Sequence, residues 1–119
     1  MSIPRKQRQW DIYHANLGEG PDCCILVLSS NETNEILQSQ VLACELVLES
    51  VQRLAATPLT IKAESDETGL PEPVTISVAT IASIPRNCLI DLVGRLEPMA
   101  LRIAVDKGVQ IIIGNERWP

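Results

Sequence analysis

Apolar residues along the chain fall in short clusters with the spacing of strands, and a helical period takes over near the end. Trp10 to Leu17, W-D-I-Y-H-A-N-L, is a mixed strand pattern stopped by Gly18, Gly20 and Pro21. Cys24 to Leu28 is a continuous apolar run, as a strand covered on both faces requires. Ser29-Ser30-Asn31 closes it with turn and helix-cap chemistry, so Glu32 to Ser39 is predicted as a short helix over the sheet. Gln40 to Leu48 alternates less cleanly and fits either strand or helix. Glu49 to Thr57 reads as a loop or helical turn, and Pro58 to Ala63 contains a short alternating strand, L-T-I-K-A. Glu64 to Pro73 holds four acidic residues, one glycine and two prolines, which predicts a surface loop. Val74 to Val78 alternates as a half-buried strand, Pro85 interrupts the next stretch, and Cys88 to Leu96 carries a further short apolar segment.

Pro98 to Ile113 has the strongest helical pattern. Proline suits a first helical turn, and Gly114 stands where a C-cap belongs. Arg102, Asp106 and Gln110 recur on one side, with Leu101, Val105 and Ile112 on another. Gly108 inside it costs about 1 kcal/mol relative to alanine, which predicts close packing there. Five or six short strands, a short helix and a terminal helix make the fold class mainly β with helices, a small curled antiparallel sheet or barrel.

Composition narrows the function. A length of 119 residues fits a single domain spanning 1–119, with 1–8 as a basic arm and 115–119 as a C-terminal tail. A 45% hydrophobic share with 21% charged residues excludes an intrinsically disordered chain. The aromatics are only Trp10, Tyr13 and Trp118, so the core must be aliphatic. A net charge of −5 with so few aromatics opposes a basic, stacking groove for single-stranded nucleic acid. Arg5, Lys6 and Arg8 form the only basic cluster, and three charges are too few to reverse that balance.

No apolar stretch follows these residues as in a secretory signal, and no run approaches the ~18 residues of a membrane span. A cytoplasmic protein with no membrane partner is expected. Cys23, Cys24, Cys44 and Cys88 contain no C-x-x-C pair and read as reduced, partly buried thiols. Neither a metal site nor a cofactor is expected.

The order of segments resembles the MazF/PemK family, small toxins of type II toxin–antitoxin systems that cut single-stranded RNA. Asp11-Ile12-Tyr13 with Leu17-Gly18 is similar to the family's opening strand, R-G-D-I-Y followed by L-G. Ile25 to Ser29, with Asn34 beyond, resembles its second strand and the S-N-D-x-x-N after it. Glu67-Thr68-Gly69-Leu70 stands as in the family, and Gly94-Arg95-Leu96 with Pro98 is similar to its G-R-L-S-P ending. The resemblance covers roughly residues 8 to 114. It implies an SH3-like barrel of the CcdB–MazF type with a C-terminal helix, a homodimer, and an antitoxin or other protein as partner.

Several positions depart from the family. Its Arg-Pro before the second strand, whose arginine serves RNA binding and cleavage, becomes Cys23-Cys24. The threonine or serine ending its third strand becomes Val47, and its D-Q-I-R becomes Ala79-Thr80-Ile81-Ala82. The long loop between the first two strands shrinks to Glu19-Gly20-Pro21-Asp22. Metal-independent RNA cleavage needs a base for the 2′-hydroxyl, an acid for the leaving 5′-oxygen and positive charge on the phosphorane. Cysteine and valine do not replace an arginine and a hydroxyl in those tasks. A catalytically degenerate binding or assembly module is therefore expected.

The alternative is an active metal-independent endoribonuclease with relocated groups, for which His14 and Arg86 are the candidates. The plain readings are a strand histidine with nothing nearby in sequence to orient it, and a solvated loop arginine. Arg95 takes a structural place ahead of the helix by the resemblance. Asp22 beside Cys23 raises a thiol pKa, which argues against a nucleophilic cysteine. Trp118 is a candidate partner anchor or packs back on the barrel. A topoisomerase poison on the same fold is a third option that no residue selects. A negatively charged barrel repels an acidic peptide, so a basic or apolar partner is expected.

Overall fold

The computed structural model describes residues 7–18 and 20–114. The basic residues Arg5 and Lys6, Glu19 in the shortened loop, and Trp118 lie outside the described residues. Strands β1 (Asp11–Ala15) and β2 (Cys23–Val27) precede helix α1 (Asn31–Ile36) and strand β3 (Gln40–Leu48). Strand β4 (Thr60–Ala63), the one-turn helix α2 (Ser65–Thr68), strands β5 (Val74–Pro85) and β6 (Leu89–Arg95), and helix α3 (Met99–Ile112) complete the order. The six strands form one sheet in the order β4-β5-β3-β2-β1-β6, and every neighbouring pair is antiparallel. The expected class is found. No pairing joins β4 to β6 among the described residues, so the curled sheet stays open where a full barrel would close. No described helix is long and apolar enough to cross a membrane.

Two apolar clusters cover the two faces of the central strands. Ile12, Leu26, Cys44, Leu46, Ile76 and Val105 belong to one, and Tyr13, Ala15, Ile25, Val27, Val41 and Ala43 to the other. Adjacent residues of β1, β2 and β3 therefore alternate between clusters. This double coverage explains the unclear period of Gln40–Leu48: Val41 and Ala43 are buried on one face and Cys44 and Leu46 on the other, with only Leu42 and Glu45 exposed, so polar alternation is lost. Helix α3 covers the first cluster with Val105 and Val109. Gly108 makes the predicted close approach, since a Cβ there would stand 3.0 Å from the Pro58 carbonyl oxygen and 3.3 Å from the Val78 methyls.

Two boundaries differ from expectation. Strand β5 does not stop near Val78 but continues to Pro85, because β3 is long enough to pair with both halves across a bulge opposite Ala43–Glu45. The acidic segment 64–73 is not wholly a surface loop. Glu64 and Glu67 form a reciprocal capping box that starts α2, and Gly69, at φ 81°, ends it in the left-handed region. Thr68 and Leu70 beside it are buried. At the start of α1, the Ser30 side chain accepts the Thr33 amide at 3.1 Å, as its cap chemistry predicts.

The first and last strands are joined by an ion pair between buried Asp11 and half-buried Arg95. Asp11, 1% exposed, accepts from Arg95 Nη1 at 2.8 Å across the β1–β6 ladder and from the Arg8 amide at 3.1 Å. Arg95→Met removes the charge partner of that buried carboxylate while the Arg8 amide remains, and we expect a loss of about 2 kcal/mol in urea unfolding. Gly94 lies directly over α2, where a Cβ would run into the Thr68 carbonyl oxygen. Gly94→Ala should cost about 3 kcal/mol by overpacking against backbone. Gly108→Ala meets a milder contact and recovers helix propensity, so it should cost clearly less in the same assay.

Candidate functional site at the ends of the central strands

The C-terminal end of β1, the start of β2 and the end of β3 enclose a cleft of about 470 Å³. His14, Asp22, Cys23, Glu45 and Val47 reach it, and Leu17, Leu46 and Val51 supply aliphatic walls. Strand register explains part of this grouping. Ile25 pairs with Glu45 and Cys24 with Leu46, which sets Cys23, Glu45 and Val47 on one face of adjacent strands. His14 pairs with Cys24 and enters from β1. No lysine or arginine is among the described lining residues.

The charges present are carboxylates. Neither Asp22 nor Glu45 is ion-paired among the described residues. Burial pushes the Cys23 thiol up, and Glu45, Cys24 and Asp22 push it further. Burial also raises Cys24, and it raises Cys44 to about 12 with help from Glu45. These thiols are neutral near pH 7, the reverse of what a nucleophilic cysteine needs. No disulfide links the four cysteines, and no cluster of metal-ligating side chains occurs among the described residues.

The residues singled out from sequence divide accordingly. His14, Cys23 and Val47 come together in the cleft, whereas Thr80 and Arg86 do not line it. Thr80 is occupied by the β3–β5 bulge, donating to the Ser77 carbonyl and accepting the Glu45 amide, both at 2.7 Å. The Arg86 guanidinium donates through Nη2 to the Asn34 carbonyl in α1, and its backbone amide donates to the Ser39 carbonyl at 2.9 Å. Asn34 itself is buried, accepts the Ser29 hydroxyl, and donates to the Gln7 and Ser29 carbonyls at 3.1 and 3.2 Å. Arg86 is thus a strut of the α1 corner rather than a solvated loop residue.

Glu45 is the cleft residue that sequence reasoning missed. Its signal was a single acid inside the otherwise apolar V-L-A-C-E-L-V-L. Because the Cys23 pKa is raised, its alkylation by iodoacetamide should be slow at pH 7 and still accelerate above pH 9. Glu45→Gln removes one of the repelling charges and should move that rise to lower pH.

A model of PemK-like, MazF-like toxins of type II toxin–antitoxin systems matches residues 8–113. No curated protein sequence matches the chain. Among solved structures, a mycobacterial endoribonuclease in complex with its cognate antitoxin superposes with a TM-score of 0.75 at 21% identity, covering 95% of this chain and 99% of that one. The Mycobacterium tuberculosis toxin MazF-mt6 gives 0.72 at 16% identity, over 89% of this chain and 98% of its own. The MazE–MazF structure from Deinococcus radiodurans gives 0.70 at 14% identity, over 94% and 100%. At these identities the likeness to solved structures is one of fold. With the match to the family model across nearly all of the sequence, the chain belongs to the PemK-like, MazF-like toxins of type II toxin–antitoxin systems.

Proposed function

We propose that this chain acts in the cytoplasm as a single-domain binding and assembly module that keeps the toxin fold without RNA cleavage. The carrying observation is the cleft. Where the family resemblance places an arginine and a hydroxyl, the cleft presents Cys23 and Val47, flanked by Asp22 and Glu45, with no lysine or arginine among the described lining residues. A phosphodiester entering there meets two carboxylates and aliphatic walls, so the negative charge of a phosphorane is opposed rather than stabilised.

The relocated-enzyme alternative needs His14 and Arg86 to act on one phosphate. Their placement speaks against it: Arg86 is absent from the cleft and its guanidinium is engaged by the Asn34 carbonyl. Thr80, at the third substituted family position, is committed to the bulge.

Assembly is the activity left to such a fold. A homodimer is supported by exposed aliphatic side chains on edge strand β6, Ile90 and Leu92, and on α3, Met99 and Ile103. An antitoxin-like protein partner is supported by the toxin–antitoxin complexes among the structurally similar proteins.

Incubation of the purified protein with single-stranded RNA, without metal, tests the reading. Cleavage should stay within about 10-fold of the buffer rate, since no lysine or arginine among the described lining residues can stabilise the phosphorane charge. The Cys23→Arg/Val47→Thr double variant should bind the same RNA more tightly than the parent. Enzyme-like cleavage by the parent that is abolished by His14→Ala would overturn the proposal.

A further inference from the structure

We infer that the cleft between β1, β2 and β3 receives a cationic peptide segment of a protein partner, a lysine or arginine flanked by aliphatic residues, held by Asp22 and Glu45. This rests on the reading of the chain as a binding module and names the chemistry of its partner.

Charge complementarity carries the inference. Asp22 and Glu45 both border the cleft, and neither is ion-paired among the described residues. Asp22 adjoins Cys23 in the chain and Glu45 lies on the neighbouring strand, paired with Ile25, so both carboxylates border the cleft beside the Cys23 thiol. A guanidinium or ammonium group seated there neutralises both, and a long aliphatic stem suits the apolar walls. The rim extends the match, because Leu17 and Val51 are 46% and 75% exposed and offer aliphatic surface to residues on either side of the cation.

Other occupants fit less well. A bare divalent ion wants more oxygen ligands than two carboxylates, and no group of three metal-ligating side chains is found among the described residues. An acidic tail or a nucleic-acid phosphate meets like charge. The volume, about 470 Å³, lies in the range of sites that enclose a drug-sized ligand, which is room for a few side chains rather than a folded domain.

Fluorescence anisotropy with a labelled ten-residue peptide of alternating leucine and arginine provides the test. The comparison set is a leucine–glutamate peptide of equal length and a labelled single-stranded RNA. Wild type should bind the leucine–arginine peptide and neither of the others. Asp22→Asn/Glu45→Gln should weaken that binding by about 10-fold or more. Glu32→Gln/Asp66→Asn, which removes equal charge from exposed positions elsewhere, should change it by less than about 3-fold.

Equal losses in the two double variants would overturn the inference, since they indicate general attraction to an acidic protein. Preference for the acidic peptide or for RNA would also overturn it. A readout that needs no variant is Cys23 alkylation at pH 9, which saturating leucine–arginine peptide should slow at least about 5-fold. Unchanged alkylation under saturation places the peptide elsewhere and counts against the cleft. RNA cleavage by the same preparation refutes the module reading itself, whereas lost peptide selectivity without cleavage refutes only this inference.

Discussion

The molecule is organised by the antiparallel pairing of its first strand with its last, closed by the ion pair of buried Asp11 with half-buried Arg95. β1 lies between β2 and β6, so the hairpin made early in the chain is complete only when the last strand arrives. Trp10, just before β1, takes a left-handed φ of 75°, which is uncommon for a bulky residue. It is locked by its amide to the Val27 carbonyl at 2.8 Å, and its own carbonyl accepts the Leu96 amide at 2.9 Å. Arg102 of α3 lies 5.7 Å from the Trp10 ring centroid and donates to the Leu96 carbonyl at 2.7 Å. One corner therefore ties together the entry to β1, the end of β2, the exit from β6 and the last helix. Replacing the ion pair by apolar residues of equal volume need not destabilise a fold, but breaking one side of it does. The geometry of the cleft at the far end of β1 is inherited from this anchoring.

That cleft is where the proposed reading parts the scaffold from its chemistry. Backbone and core demand aliphatic residues in β1, β2 and β3, and these are present on both faces. The strand ends are under no such demand. There the chain carries His14, two carboxylates, thiols with raised pKa and valine, with no lysine or arginine among the described lining residues. On the proposed reading, Cys23 at the start of β2, flanked by Asp22 and Glu45, turns this corner of the scaffold from anions toward cations.

Much of the fold was legible in the sequence because aliphatic runs and cap residues act locally. The run Cys24–Leu28, the Ser30 cap and the Pro98–Gly114 helix all appear where their chemistry places them. What local pattern concealed was set by partners. Gln40–Leu48 was ambiguous because both its faces are covered, and β5 outran its apparent end because β3 pairs with it beyond a bulge. The acidic stretch 64–73 hid a helical turn whose Thr68 is buried beneath Gly94. This contact also explains two of the family-like segments. Thr68-Gly69 and Gly94-Arg95 meet in space, and Asp11 meets Arg95, so these resemblances report the fold rather than the chemistry. The cleft was only half legible. Cys23 and Val47 stood out as departures from the family, while Glu45 became visible only once register set it near Cys23.

The central claim is that the strand-end cleft excludes nucleic acid because its charge is of the wrong sign. Its most direct test is a low-salt titration of the 15N-labelled protein with single-stranded RNA, monitored residue by residue through amide chemical shifts. The account predicts no saturable shifts at His14, Cys23, Glu45 and Val47. Saturable shifts concentrated on those four residues would contradict it.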